Sequence, residues 1–158
     1  MYKTTLPQVN HVTEIQVTYT QKVKAKDRPL IKSPYAAYQV LRATWDDGLI
    51  NLVEQFRILM LNTRKRVIGS LLIGQGDSGS TPADAIQIFA GAIQCKARYI
   101  VLAHNHPSGS LTPSRQDIIT TTSLEMGAAY LGLRIYDHII LTNDAYFSFR
   151  DNGHLIKK

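Results

Sequence analysis

Apolar and polar positions along this chain repeat with two different periods, and the switches between them mark its elements. Thr13 to Val23 sets Ile15, Val17, Tyr19 and Val23 against polar neighbours, the alternation of a half-buried strand that could cover a sheet edge. Ser33 and Pro34 read as N-cap and first residue of a helix to about Ala43, because proline at that position lacks only an amide the helix could not use. Glu54 to Leu61 (EQFRILML) reads as a central strand, Asn62 to Lys65 as a polar turn, and Val67 to Ile73 as the second arm of a hairpin. Gly74 to Ser80 is rich in glycine and serine and predicts a loop. Thr81 with Pro82 repeats the cap-and-proline signature and predicts a helix to about Gln94.

Tyr99 to Ala103 (YIVLA) is short, apolar and β-branched, the composition of a buried strand, and Pro107 to Ser110 then breaks regular structure. Thr112 reads as the next N-cap, Pro113 as the first helical residue, and Gly132 as the residue just past that helix's end. Ser114, Asp117, Thr121, Leu124, Ala128 and Leu131 fall at steps of three and four, on one stripe whose later members are apolar and face a core. A strand from Arg134 to Leu141, a turn at Asn143-Asp144 and a last short strand complete the order. Strands and helices mixed in this way predict an α/β domain of two or three layers.

The chemistry collects where the YIVLA strand ends. His104-Asn105-His106 stands at its C-terminal end, where open α/β sheets tend to bind ligands, and Ser114 and Asp117 follow in a fixed spacing. Two imidazoles and a carboxylate can supply three ligands to zinc and leave a fourth position open for water, the arrangement of a catalytic site. Asp117 lies on the inward stripe, where a carboxylate is costly to bury unless a metal or a hydrogen-bond partner compensates. A strand-end histidine or an early-helix aspartate taken singly has a blander reading, as a hydrogen-bonded side chain or a dipole-stabilising residue. Neither blander reading predicts the joint spacing.

Hydrolysis by activated water also needs a carboxylate to accept and return a proton. The chain has three glutamates, and Glu125 lies eight residues beyond Asp117, about 12 Å along a helix at 1.5 Å per residue. Glu14 belongs to the N-terminal alternating run. Glu54 shares a strand face with Phe56, Ile58 and Met60, so it is either the general base or an exposed charge just before a strand, and spacing alone does not join it to the metal. His138, between Asp137 and Ile139 in a strand, is expected to be hydrogen-bonded and not a ligand. His11 and His154 are expected to be solvated.

Lys and Arg number 18 against 12 acidic residues, a net charge of +6. Lys22, Lys24, Lys26, Arg28 and Lys32 crowd one stretch, and Arg64, Lys65 and Arg66 another, so salt-sensitive binding of nucleic acid or an acidic partner is open beside the plainer reading of solvated faces. One cysteine, Cys95, excludes an internal disulfide and is expected to be a small buried apolar residue. With 158 residues, 44% of them hydrophobic, one domain with a core is expected. With no charged-then-apolar leader or long apolar span in sight, the expected location is the cytoplasm.

Glu54, the His104-x-His106 pair, Ser114 and Asp117, with the HNHPSG and PSRQD strings around them, resemble the JAMM motif of JAB/MPN metalloproteins. The stretch from about Ser33 to Gly153, including EQFRILMLNTRKRVI, DHIIL and the Tyr146 to Phe149 ending, is similar to the RadC family. The resemblance implies a single JAB/MPN-like, cytidine-deaminase-like α/β domain with a mixed sheet flanked by helices, over residues 33–158, after an N-terminal extension over 1–32 that includes the edge strand. It further implies that His104, His106 and Asp117 bind zinc, that Glu54 is the general base and that Ser114 stabilises the oxyanion in cleavage of a peptide or isopeptide bond. A single cysteine cannot supply a deaminase's cysteine-containing zinc site, and no His-Glu-x-x-His helix is present. Fuller RadC proteins carry an N-terminal region resembling helix-hairpin-helix modules; no stretch of that length precedes residue 33, which weakens an expected tie to DNA repair. Pro82-Ala83-Asp84 stands where the family tends to have Pro-Arg-Glu, which removes a cation near the start of the middle helix. The rival function is a nucleic-acid-associated accessory protein with a non-catalytic metal site.

Overall fold

A computed structural model describes residues 16, 18–76 and 83–156. Their order is α1 (Pro34–Thr44), β1 (Gln55–Leu61), β2 (Val67–Gln75), α2 (Ala85–Gln94), β3 (Tyr99–Asn105), α3 (Arg115–Tyr130), β4 (Arg134–Leu141) and β5 (Tyr146–Ser148). The strands form one sheet in the order β2-β1-β3-β4-β5. β3 and β4 run parallel, joined by the crossover helix α3, and the other neighbours are antiparallel, so the sheet is mixed. Side-chain alternation divides the core between two faces. Leu59, Leu61, Val101, Ala103, Ile139 and Leu141 pack with Ala37 and Leu41 of α1 on one side. Phe56, Ile58, Met60, Ile100 and Leu102 pack with Ile88 and Ala92 of α2 and Leu124 and Ala128 of α3 on the other. The result is a three-layer domain.

An irregularity in β4 sets which face its residues meet. Ile100 pairs with Ile135 but Val101 with Asp137, so the extra residue lets Tyr136 and Ile139 both face the α1 layer. His138 is thereby directed to the α3 side, where it meets Thr121.

Both later helices begin where the local capping chemistry is strongest and not at the Thr-Pro pairs. Asp84 caps α2, its carboxylate accepting from the amides of Ile86 and Gln87 at 2.8 and 3.2 Å. Thr81 and Pro82 lie outside the described residues. For α3 the cap is Ser114 and not Thr112: its hydroxyl accepts from Asp117 N (3.1 Å) while Asp117 Oδ2 accepts from Ser114 N (2.7 Å). This reciprocal pair satisfies two end amides that a Thr112 cap would leave to solvent. Gly132 takes the left-handed conformation just past the C-terminus, at φ 69°. Leu131, expected on the buried stripe, is instead the exposed C-cap residue, because the helix ends at Tyr130.

Thr13, Glu14, Ile15 and Val17 of the expected N-terminal strand lie outside the described residues, and residues 18–23 are not in a strand. They attach through side chains: the Tyr19 hydroxyl donates to Ile68 O at 3.2 Å, and Gln94 Nε2 donates to Thr18 O at 2.9 Å. His11 also lies outside the described residues, and His154 is exposed. Cys95 is half-buried, its Sγ 3.4 Å from Met60 Sδ, and burial raises its thiol pKa. Among the described residues no helix is long and apolar enough to cross a membrane.

Candidate metal centre

His104 is the penultimate residue of β3, the middle strand of the sheet, and is 1% exposed. His106 follows just beyond the strand, held by a bond from its amide to Leu141 O at 3.0 Å. Strand alternation turns both imidazoles to the α2/α3 face, where His104 stacks on Phe56 with ring centroids 6.0 Å apart. Asp117 reaches the same point from the first turn of α3. His104 Nε2 lies 3.0 Å from His106 Nε2 and 3.3 Å from Asp117 Oδ1, and His106 Nε2 lies 3.8 Å from Asp117 Oδ2. Ligands 2.0–2.1 Å from a tetrahedral zinc stand about 3.3 Å from one another, so these separations bracket that geometry.

The protons around the two imidazoles decide what can fill the space between them. Ser110 O lies 2.8 Å from His106 Nδ1; a carbonyl only accepts, so Nδ1 carries a hydrogen, and in the neutral imidazole Nε2 holds the lone pair. His104 is ordered by a longer chain. Thr121 Oγ1 donates to Asp117 O at 2.6 Å and must therefore accept from His138 Nδ1, also at 2.6 Å. Burial, and then the neighbouring His104, hold the His138 pKa well below its ordinary value, so His138 is neutral and its Nε2 accepts. The donor it accepts from is His104 Nδ1, 2.8 Å away. In the neutral imidazole His104 Nε2 is then a lone pair, facing Nε2 of His106 at 3.0 Å. Two such lone pairs repel unless a cation lies between them, and the third group aimed there is a carboxylate. Burial opposes ionisation of Asp117, but the adjacent His104, which favours the carboxylate whenever its own ring is protonated, and the bonds from Ser114 outweigh it and lower its pKa. Neutral imidazoles and an ionised carboxylate are the forms in which these residues bind metal.

His138 is a hydrogen-bonded strand histidine, fully buried, as its place in the sequence suggested. Its position behind His104 was not readable from spacing, because it depends on the parallel β3–β4 register and on the extra residue in β4. Thr121 offered a weak signal, four residues after Asp117 on the buried stripe.

Glu54 stands apart from these three side chains. Among the described residues, the His, Cys, Asp and Glu atoms that all lie within 4.8 Å of one another come from His104, His106 and Asp117. Glu54 is half-buried and immediately precedes β1, its carbonyl accepting from Gly76 N at 2.9 Å. The register that pairs Phe56 with His104 runs on toward Glu54 and His106, at the same end of the two strands. Asn105, between the two histidines and fully buried, ties that approach down. Its Oδ1 accepts from Gln55 N at 2.7 Å and its Nδ2 donates to Ile50 O at 2.7 Å and Val53 O at 2.8 Å. One side chain from the strand of the histidines thus clamps the segment that carries Glu54. Ser114 sits at the start of α3, and because its oxygen is an acceptor in the cap, the hydroxyl keeps its proton for donation.

The family described as RadC-like JAB domain matches residues 31–154. The chain belongs to that family. Curated relatives include UPF0758 proteins of Porphyromonas gingivalis, 42% identical over 65% of this chain and 45% of the relative, and of Thermosynechococcus vestitus, 35% identical over 79% and 49%. A third, from Rubrobacter xylanophilus, is 36% identical over 81% of this chain and 55% of its own length. The chain spans about half the length of the curated relatives it matches. Among the described residues, the five-stranded mixed sheet with three α-helices is consistent with a single RadC-like JAB domain.

Proposed function

We propose that this domain is a zinc-dependent hydrolase of peptide or isopeptide bonds. The observation that carries the reading is the convergence of two imidazole Nε2 atoms and one carboxylate on a single point, with each imidazole's Nδ1 engaged by a hydrogen bond. Three protein ligands leave a position open, whereas structural zinc sites close with four. When bound, zinc would supply Lewis acidity, making water nucleophilic near neutral pH and polarising the scissile carbonyl.

The chain's own residues would do the rest. His104, His106 and Asp117 hold the ion. Glu54, at the open end of β1, takes a proton from the attacking water as the C–O bond forms, and delivers it to the leaving nitrogen as the C–N bond breaks. Ser114 donates its hydroxyl proton to the oxyanion that develops on the carbonyl oxygen. Zinc analysis and digestion of peptide and isopeptide libraries test the reading together. Glu54→Gln should retain zinc and abolish cleavage; cleavage unimpaired in this variant would remove Glu54 from the role.

A second reading, nucleic-acid binding, is favoured by the way the two basic clusters meet. Leu30 bridges to Arg66, Ile31 N donates to Lys65 O at 2.9 Å, and the Arg66 side chain donates to Arg28 O at 2.7 Å. The strands place this surface at the end of the sheet opposite the histidines. Electrophoretic shifts with DNA and RNA at two salt concentrations test it, and absence of salt-dependent binding refutes it.

A further inference from the structure

The open half of β4 borders a cleft that the metal centre does not use. β5 pairs only with Ile139–Leu141, and the chain then turns away through Gly153 and returns to α3, where Ile156 N donates to the Glu125 carboxylate at 3.1 and 3.2 Å. Between that return, the first half of β4 and the last turns of α3 lies a cavity of about 430 Å³, within the range of sites for small organic ligands. Its apolar wall includes Met126, Ala129, Leu133 and Ile135.

The polar lining is unbalanced. Lys65, Arg134 and Arg150 reach the cavity against one carboxylate, Glu125, which already accepts from the Ile156 amide. None of the three cations has a carboxylate within 4.0 Å among the described residues. Lys65 Nζ lies 5.1 Å and the Arg150 guanidinium 4.4 Å from the centre of the Tyr136 ring, so an aromatic side chain gathers two of the cations at one end of the apolar wall. An apolar surface rimmed by convergent cations suits a ligand with the opposite arrangement.

We propose that this cleft binds a small amphiphilic organic anion, its negative group among Lys65, Arg134 and Arg150 and its apolar body against Met126, Ala129, Leu133 and Ile135. The apolar body could be an alkyl chain or a fused aromatic ring. Both share the required chemistry, so dodecanoate and 1-naphthoate are the probes, with inorganic phosphate testing charge alone and dodecyltrimethylammonium testing the chain with the charge reversed.

The test is titration of the full chain by calorimetry and by amide chemical shifts. The expected result is saturable binding of dodecanoate, 1-naphthoate or both, with shifts at Ala129, Leu133, Ile135 and Ile156, and none with phosphate or the ammonium ion. Two variants at exposed positions probe the halves of the site separately: Arg150→Glu removes a cation, and Ala129→Trp fills the cavity from the surface of a helix. Each should weaken binding at least tenfold while leaving the melting temperature and zinc content of the parent. The proposal is overturned if neither organic anion binds, if the ammonium ion binds as well, or if both variants bind like the parent. None of these outcomes depends on whether the metal centre hydrolyses anything.

Discussion

Replacing His138 by phenylalanine isolates the hydrogen-bond chain behind the metal centre from the packing around it. The imidazole stacks on Phe149 with centroids 4.6 Å apart and lies 5.6 Å from Phe56, so a phenyl ring of similar volume stays within an aromatic cluster. What is lost is the acceptor 2.8 Å from His104 Nδ1 and the donor 2.6 Å from Thr121. A buried N–H without an acceptor costs about 1–3 kcal/mol. The metal-free protein can avoid that cost, because His104 can move its proton to Nε2, where Asp117 Oδ1 lies 3.3 Å away. The metal-bound protein cannot, since Nε2 must then be a ligand. The penalty therefore falls on binding, and at about 1.4 kcal/mol per factor of ten it corresponds to a loss of roughly 10- to 100-fold in zinc affinity. Competition against a chromogenic chelator measures it, with thermal unfolding as the check that the variant is folded. His138→Gln, which can both accept and donate, should recover part of the loss. A folded His138→Phe protein whose zinc affinity stays within twofold of the parent would refute the ordered-proton argument.

Asp117→Asn keeps an oxygen to accept from Ser114 N, so the metal-free fold should lose less than about 1 kcal/mol in urea unfolding while zinc affinity collapses. Ser114→Ala removes the cap acceptor and should cost about 1 kcal/mol, with zinc retained in elemental analysis and any hydrolysis slowed. Asn105→Ala leaves Gln55 N, Ile50 O and Val53 O without their buried partner, and a loss of about 3 kcal/mol or more is expected by the same unfolding assay. Asp137, fully buried, has its pKa pushed up by desolvation to about 6, against bonds from Arg150 N, the Ser148 hydroxyl and His138 N that pull it down. A raised acid is stabilised in its protonated form. Its contribution is therefore complete below about pH 4 and is lost as pH rises through about 6, up to about 3 kcal/mol in all. Asp137→Asn should flatten that part of the stability profile.

The three side chains that could hold a metal were legible as a cluster because their spacing is local. His104 and His106 are two residues apart at a strand end, and Asp117 reaches them across one short loop and one helical turn. The succession of elements after residue 33 and the apolar faces were legible for a similar reason, since each element carries its own period. The helix starts were misplaced where two signals competed: the Thr-Pro pairs are visible capping patterns, but the reciprocal Ser114–Asp117 bonds and the Asp84 carboxylate satisfy more amides. The supporting residues were hidden because their meaning is tertiary. Asn105 clamps backbone atoms about fifty positions earlier in the chain, and His138 meets His104 only through the parallel pairing of β3 and β4.

Zinc stoichiometry of the purified protein and three variants tests the central claim most directly. Inductively coupled plasma mass spectrometry should find about one zinc per chain in the parent and in Glu54→Gln, and almost none in His104→Ala or Asp117→Ala. Equal zinc in all four proteins, or a parent that takes up none when zinc is supplied, would contradict the claim that these side chains converge on one ion.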